Sequence, residues 1–254
     1  MLHKNNDKKD NIQKSDKVIN NTIIITLSIC LFTIIIFGSL NFMIFNKDFY
    51  YREYSKNGIY AQLTQSDNSS NTYTYNRTYA VSTAQNITEN VIKFFRNTQD
   101  LKYFSDDEKS HMQDVKKLIR TMQFIYYGAA ILTILLFFYC YRRFKEDKLH
   151  FIKILARSLL YSSIAAITFL LILFLLSVFY FELTFTVFHM IFFPQGNWMF
   201  SSTSLLITMF PEQFFFDITL RIFIYAIFQA LIFFGIGYWM HKQLKIVEKH
   251  HAFR

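Results

Sequence analysis

Residues 154–180 read ILARSLLYSSIAAITFLLILFLLSVFY, and Arg157 is the only charged residue among them. A run of about 18 or more apolar residues with almost no charge is long enough to cross roughly 30 Å of hydrocarbon. The apolar residues of this chain are not spread out as a soluble core requires, but gather into runs of this kind. The stretch therefore predicts an integral membrane protein.

Three further apolar runs accompany it, and the first of them follows several lysines, as a secretory signal does. This first run is too long for the apolar region of a signal peptide and lacks a small-residue cleavage site at its end. It is therefore interpreted as an anchor that stays in the membrane. We predict four transmembrane helices, at residues 22–45, 121–141, 154–182 and 218–240.

The short basic segments predict the orientation of these helices. Lysine and arginine residues concentrate in short segments before the first span, between the second and third, and after the fourth. Such segments mark the cytoplasmic side. No Lys or Arg occurs between Arg157 and Arg221, so the segment between the last two spans faces outward. The predicted cytoplasmic segments are 1–21, 142–153 and 241–254, and the outer segments are 46–120 and 183–217.

The net charge of +9 follows from this topology. Basic residues beside membrane spans favour contact with anionic lipids, and they are poor evidence for a nucleic-acid partner. We therefore expect membrane lipids as partners and no nucleic acid. The sequence leaves the oligomeric state open.

The outer segment 46–120 is predicted to form a small cap. Residues 59–64 and 72–81 have strand-like composition around a polar turn at residues 67–71, which indicates a hairpin. Cys30 and Cys140 lie inside predicted spans, so no disulfide framework supports the cap. The predicted fold class is an all-α polytopic membrane protein with four transmembrane helices and a mixed α+β extracytoplasmic cap.

The end of the cap carries a helix-start signal. Ser105 and Glu108 have the spacing of a capping box, so a helix begins there and continues into the second span. At 100° per residue, Glu108 and His111 lie on one apolar face, and Asp114 lies on its edge. Alternatively, Glu108 can serve only to cap its own helix, and His111 can be an ordinary core residue.

The spacing of Glu108 and His111 also matches one ligand pair of di-iron bundles. Such sites need a second pair and two further carboxylates, which this chain lacks. No CxxC or Cys/His zinc spacing is present either. We therefore predict no metal.

The third apolar run continues beyond the length of a span. From residue 154 to 194 the only acidic, basic or histidine side chains are Arg157, Glu182 and His189. A helix of that length would reach about 60 Å, twice the hydrocarbon thickness. The excess from about residue 183 onward must lie along the interface or dip back into it.

Both prolines of the chain, Pro194 and Pro211, fall in this excess. Irregular backbone at membrane depth is tolerated only where it is buried in protein or lines a cavity. A histidine there is by default a functional hypothesis, although His189 can also be a hydrogen-bonded loop residue. His111 and His189 are the two histidines on the predicted outer side, so we expect them to meet.

Two motifs give the chain a resemblance to a known family. The first is FSDDEKSHMQDVKKL at residues 104–118. The second is FHMIFFPQGNWMF at 188–200, followed by the pair LL at 205–206 and by FPEQFF at 210–215. With the four-span plan, these motifs resemble the bacterial lipoprotein intramolecular transacylase family.

The resemblance implies an acyltransferase of the bacterial cell membrane whose active site faces outward. Its substrate is a diacylated bacterial lipoprotein, and it moves the sn-2 acyl chain onto the N-terminal cysteine amine, which gives the lyso-form. The implied catalytic residues are His111 and His189. The implied substrate-binding or supporting residues are Glu108, Asp114, Phe188, Phe192, Phe193, Asn197, Trp198 and Glu212.

Conversion of an ester to an amide is downhill, so this reaction requires no cofactor, and the chain has no Gly-rich phosphate loop. Carboxylates near His111 favour its protonated form, which makes His111 the general base of our hypothesis. His189 has apolar neighbours and is expected to be neutral. It would donate a hydrogen bond to the carbonyl oxygen, or pass a proton to the glyceryl oxygen.

Two other readings stay open at this point. A small transporter or channel could use the broken segment as its site, although such folds usually show internal repeats and polar residues within the spans. A structural membrane scaffold is the third reading. Mass spectrometry of a model lipoprotein incubated with the purified protein separates all three.

The topology is tested by cysteine labelling. Cysteines introduced at Asn68 and Ser202 lie in predicted outer segments, so they should react with an impermeant thiol reagent in intact cells. Labelling that occurs only after lysis would overturn the orientation.

Overall fold

The structure is a computed structural model that describes residues 2–65 and 73–252, and within these ranges every regular element is a helix. Short connections join most of them. The helices, in chain order, are α1 (Leu2–Ile44), α2 (Lys47–Lys56), α3 (Ile59–Gln65), α4 (Tyr73–Phe95), α5 (Asp106–Arg143), α6 (Lys148–Phe179), α7 (Phe181–Phe192), α8 (Leu205–Met209) and α9 (Glu212–Ala252).

Four of these helices, α1, α5, α6 and α9, are long and apolar enough to cross a membrane. Their outward-facing side chains are largely apolar, which suits contact with lipid rather than water. The chain is therefore a multi-pass membrane protein. The predicted all-helical architecture with four spanning helices is confirmed.

The chain divides into two compact units, and each of the four long helices supplies residues to both. The first unit comprises residues 1–38, 125–171 and 225–254. Small residues bring its helices close together: Ser28 Oγ lies 3.3 Å from the backbone oxygen of Ser158, and Gly237 packs against α6. Close approach through small residues is the usual way in which membrane helices pack.

The second unit comprises residues 39–124 and 172–224, and a buried aromatic core holds it together. Tyr54 is fully buried, and its hydroxyl pairs with Thr88 Oγ1 at 2.9 Å. Its ring stacks on Phe214 at 6.3 Å between centroids. A buried tyrosine needs such a hydrogen-bond partner for its hydroxyl, so the cap tyrosines include core residues.

The predicted hairpin in the cap is wrong. Residues 59–64 belong to α3, residues 73–81 belong to α4, and the turn predicted at 67–71 lies outside the described residues. The buried residues of α4 include Ala80, Ala84, Ile87 and Val91, which recur every three or four positions. This is the period of a helix face. The ten residues assigned to a strand were too few to reveal that period.

An ionic cluster of two buried carboxyl groups and an exposed lysine links α2 to the start of α9. Lys56 Nζ bonds Asp217 Oδ2 at 2.6 Å, and Glu53 is buried beside them. Burial and the neighbouring carboxylate of Asp217 both raise the pKa of Glu53. The cluster therefore combines one ion pair with a second carboxyl group whose charged form is disfavoured.

The connection from α4 to α5 positions the start of α5. Asn97 adopts a left-handed φ of 63°, and Thr98 N donates to Lys93 O at 2.9 Å, which closes α4 with a Schellman-type turn. The buried side chain of Asn90 binds the backbone that follows this turn: its Nδ2 donates to Asp100 O, and its Oδ1 accepts from Lys102 N. These bonds hold the irregular segment that leads into α5.

The third apolar run is divided at Tyr180. The helix α6 ends at Phe179, and α7 starts two residues later. No proline or glycine lies near this break, and the local sequence does not explain it. The segment predicted as an interfacial loop, 183–217, therefore contains most of α7 and all of α8.

Helix packing in the first unit gives a matched pair of variants. A Cβ at Gly237 would lie 3.0 Å from Leu159 Cβ and 3.1 Å from the backbone oxygen of Ala156, whereas a Cβ at Gly235 meets nothing within 4 Å. We expect Gly237→Leu to destabilise the protein by about 1–3 kcal/mol through overpacking. Thermal unfolding in detergent measures this effect. Gly235→Leu is the control, and an equal loss in both variants would contradict the explanation.

Candidate active site

The site begins at the first turn of α5, where the predicted capping box is confirmed. Glu108 Oε2 accepts hydrogen bonds from Ser105 N at 2.8 Å and from Ser105 Oγ at 2.9 Å. Its other oxygen, Oε1, accepts the backbone N–H of Leu206 at 2.7 Å, in the first turn of α8. Glu108 is only 3% exposed, so its two oxygens bind backbone and cap rather than substrate.

His111 lies one turn further along α5 and is 7% exposed. Its ring meets Phe193 edge-on at 4.8 Å between centroids, and Phe200 at 5.7 Å. Its Nδ1 atom is buried and has no hydrogen-bond partner among the described residues. A buried polar atom without a partner is unusual in a folded protein and requires an explanation.

His189 lies on α7 and is 8% exposed. Its ring packs against Phe185 at 4.2 Å, Trp198 at 4.9 Å and Phe188 at 5.5 Å. Its Nδ1 atom is 2.8 Å from the backbone oxygen of Phe185, one turn earlier on the same helix. A carbonyl oxygen only accepts, so Nδ1 carries a proton, and in the neutral ring Nε2 bears the lone pair.

The structure brings the two histidines together. Their ring centroids lie 6.2 Å apart, with 23° between the ring planes. Phe193 contacts both rings, at 4.8 Å from His111 and 5.5 Å from His189. We call His111 and His189 the histidine pair.

A polar network lies beside His111. Asp114 Oδ2 accepts hydrogen bonds from Asn197 Nδ2 at 2.9 Å and from Gln195 Nε2 at 2.8 Å, while Lys117 bonds the other oxygen at 2.8 Å. Gln195 Nε2 also reaches Asn197 Oδ1 at 3.1 Å. These contacts orient the Asn197 amide, with its NH₂ group toward the carboxylate.

The surroundings favour the neutral form of both histidines. His111 lies before the uncharged stretch 121–141 of α5, and so outside the predicted span. Burial is the main cause that lowers the pKa of His111 to about 4. The nearby His189 adds to this, while a hydrogen bond with Asn197 and the charge of Asp114 act in the opposite direction. Burial also lowers the pKa of His189, and its bond with Phe185 opposes the shift.

Two parts of the role hypothesis therefore need correction. Burial outweighs the carboxylates at His111, so its imidazolium is not favoured, and Glu108 is engaged with Ser105 and Leu206. Neutral His189 donates its one N–H to Phe185 and has none left for a carbonyl oxygen. Both rings instead offer a lone pair, as bases do.

The other predicted site residues divide into two groups. Phe188, Phe193 and Trp198 contact His189, and Asp114 and Asn197 form the network beside His111. Within the described part of the chain, the remaining three make no hydrogen bond or ring contact with the histidine pair: these are Glu108, Phe192, which packs on Phe188, and the exposed Glu212 in the first turn of α9.

Three residues at the site were not predicted. Phe185 packs on His189 and accepts its Nδ1–H, Phe200 contacts His111, and Gln195 bonds Asp114. Phe185 precedes His189 by four positions, the spacing at which helix side chains meet. It could have been found if α7 had been recognised as a helix.

No group of three or more His, Cys, Asp or Glu side chains that could hold a metal ion occurs among the residues that the structure describes. The prediction that the protein requires no metal stays a prediction. What the site offers is two neutral bases in an aromatic enclosure, one of them with an unpartnered nitrogen.

Comparisons with known proteins place this site in a family context. A family model described as lipoprotein intramolecular transacylase Lit matches residues 25–215. The solved structure of the membrane-integral lipoprotein intramolecular transacylase Lit from Bacillus cereus is similar, with a TM-score of 0.73 and 20% identity over 91% of this chain and 99% of that one. A histidine-to-arginine mutant of that protein gives a TM-score of 0.71 at 19% identity, over 94% and 99%. No curated protein sequence matches the chain.

The protonation of the histidine pair can be measured by ¹⁵N NMR of histidine-labelled protein in detergent. We expect His111 to titrate near pH 4 and His189 below its ordinary value of 6.5, because burial disfavours the imidazolium in both. Both rings then gain a proton only as the pH falls below 6.5, and both are neutral at pH 7. The single alanine variants assign the signals. A midpoint above 6.5 for either ring would contradict the burial argument.

Proposed function

This chain belongs to the lipoprotein intramolecular transacylase family, and we propose that the histidine pair carries its reaction. The chain is a membrane acyltransferase that transfers an acyl chain within one lipoprotein. The observation that supports the role of the pair is the meeting of His111 and His189, buried and 6.2 Å apart, from helices distant in sequence.

The proposed substrate is a diacylated bacterial lipoprotein whose N-terminal cysteine bears diacylglycerol on sulfur and a free α-amine. The amine nitrogen attacks the carbonyl carbon of the sn-2 ester. A carbon–nitrogen bond forms, the carbon–oxygen bond to the glyceryl oxygen breaks, and one proton moves from nitrogen to that oxygen. The product is the lyso-form with an N-acyl group.

The histidine pair serves as the proton carrier in this proposal. The proton lost by the amine is the one that the glyceryl oxygen needs, so the pair ends in its initial state. Two rings this close disfavour double protonation, and His189 is one of the causes that lower the pKa of His111. A single proton held by two bases is what the transfer requires.

The aromatic residues around the pair are proposed to confine the substrate. Phe193 is buried against both rings, while Phe188 and Phe192 pack on each other at 4.8 Å and are exposed. Apolar side chains therefore extend from His189 to the exposed face of α7, and such a surface suits an acyl chain. Orientation of a donor and an acceptor that belong to one molecule can supply about 7–11 kcal/mol.

The proposed location of the site is the outer face of the cell membrane. The support is the distribution of Lys and Arg, which leaves segments 46–120 and 183–217 outward, with cytoplasmic segments 1–21, 142–153 and 241–254. Membrane lipids are the proposed surroundings of the four spans.

A transporter or channel was the alternative reading of the broken segment. The family match disfavours it, and so does the site, because the histidine pair is enclosed by aromatic rings instead of lining a polar path. The transacylase reaction is the function that we propose.

The role of the pair is tested by substitution. His111→Ala and His189→Ala should each abolish most turnover of a synthetic diacylated lipopeptide, measured by mass spectrometry of the lyso-product. Because residues that act as a unit are strongly non-additive, the double variant should be little worse than either. His150→Ala, a histidine outside the site, is the control for loss of fold. Two mild losses that multiply would mean that the histidines act independently.

A further inference from the structure

The connection between α7 and α8 covers the histidine pair. His111 is 7% exposed and His189 is 8% exposed, although the proposed substrate must reach their ring nitrogens. We call residues 193–204 the covering segment. Three rings of this segment contact the pair: Phe193 against both histidines, Trp198 against His189, and Phe200 against His111. Entry of a lipoprotein to the pair therefore requires that part of this cover moves.

Side-chain hydrogen bonds attach the covering segment to α5. Asp114 Oδ2 accepts from Gln195 Nε2 at 2.8 Å and from Asn197 Nδ2 at 2.9 Å. Asn197 Nδ2 also lies 3.4 Å from Ser110 Oγ. Among the described residues, the backbone of 194–203 forms hydrogen bonds only within the covering segment. A single carboxylate on α5 therefore holds most of the polar attachment.

The two ends of the covering segment are held more firmly than its middle. At one end Phe193 N donates to His189 O at 2.7 Å, and just beyond the other end Leu206 N donates to the buried Glu108 at 2.7 Å. In the middle, the bonds from Gln195 to Asp114 are exposed to water. Exposed hydrogen bonds exchange with water at little net cost, and segments that open locally are held by such contacts.

A left-handed turn brings the two amide side chains to the same oxygen. Gly196, between Gln195 and Asn197, has a φ of 77°, a conformation that glycine adopts without steric cost. Lys117 Nζ bonds the other oxygen of Asp114 at 2.8 Å and leaves Oδ2 for the covering segment. The attachment is therefore a built contact with one acceptor and two adjacent donors.

We propose that the covering segment is a lid over the histidine pair and that Asp114 is the positioning residue that fastens it. Release of Gln195 and Asn197 from the Asp114 carboxylate lets the segment move off the two histidine rings and admit the substrate. Return to the carboxylate restores the aromatic enclosure around the bound substrate. This inference rests on the proposed function, because it presumes a substrate that must reach the pair.

A reversible crosslink tests whether the segment opens during turnover. In the double variant Ser110→Cys/Asn197→Cys, a short bifunctional thiosulfonate reagent links the segment to α5 where the two side chains meet. The crosslinked protein should lose turnover of the diacylated lipopeptide by about 10-fold or more, because a closed lid excludes the substrate. A reductant that cleaves the link should restore turnover to its level before crosslinking. Mass spectrometry of the protein measures the crosslinked fraction.

The matched control places the same link within one element. Lys109 Nζ and Asp106 Oδ1 lie 3.3 Å apart in the first turns of α5, and both side chains are accessible. Asp106→Cys/Lys109→Cys should therefore crosslink and keep its turnover. The wild-type protein, treated with the same reagent, controls for the native Cys30 and Cys140, which are buried.

Fluorescence tests the role of Asp114 without any assay of turnover. The chain has two tryptophans, so Trp239→Phe leaves Trp198 of the covering segment as the single reporter. In this background Asp114→Ala should raise the acrylamide quenching constant by about twofold or more, because the population shifts toward the open lid. Asp114→Asn keeps an acceptor oxygen and should show a smaller rise. Lys117→Ala, which leaves the bonds to Oδ2 in place, should match the parent.

Two outcomes would overturn the inference. Full turnover of the crosslinked Ser110→Cys/Asn197→Cys protein would mean that the substrate reaches the pair by another route, such as the exposed face of α7. Unchanged quenching in Asp114→Ala would mean that this carboxylate does not fasten the segment.

Further variants keep the two proposals separate. If the cysteine pair lacks turnover before crosslinking, or Asp114→Ala does not fold, Asn197→Ala in the Trp239→Phe background breaks the same attachment, and its quenching decides. Full turnover in His111→Ala would refute the proposed function, whereas the quenching of Trp198 judges the lid by itself.

Discussion

The carboxylate of Glu108 joins the two parts of the chain on which the site depends. One oxygen closes the cap of α5, and the other binds the backbone of Leu206, 98 residues further along. A buried carboxylate that loses a partner costs several kcal/mol, because its charge is then poorly compensated. This one carboxylate therefore holds the helix that carries His111 against the segment that follows His189.

The enclosure of the histidine pair explains why ordinary histidines can serve as bases here. Phe193, Phe200, Phe185 and Trp198 surround the rings and supply no competing hydrogen bond from their side chains in the described site. Exclusion of water keeps the rings neutral at neutral pH, which is the form that accepts a proton. The backbone oxygen of Phe185 then leaves Nε2 as the available nitrogen of His189.

Much of this could be predicted from sequence, because the signals are local. Apolar run length gave the four spans, and the spacing of Ser105 and Glu108 gave the start of α5. The predicted hairpin of the cap was wrong because strand-like composition over ten residues hid the helical period of α4. The link from Glu108 to Leu206 and the bond from Asp114 to Asn197 join distant segments, and no pattern within one segment reports such partners.

The two histidines differ in whether a hydrogen bond of their own helix fixes their tautomer. His189 bonds a carbonyl of its own helix, so this bond moves with α7 as a rigid body. His111 has no such bond at Nδ1 among the described residues, and the neighbouring Asn197 amide donates to Asp114. A movement of α7 would therefore carry the proton of His189 with it. Of the two bases, one has its tautomer set by its own helix, and the other has a nitrogen that the described contacts leave open.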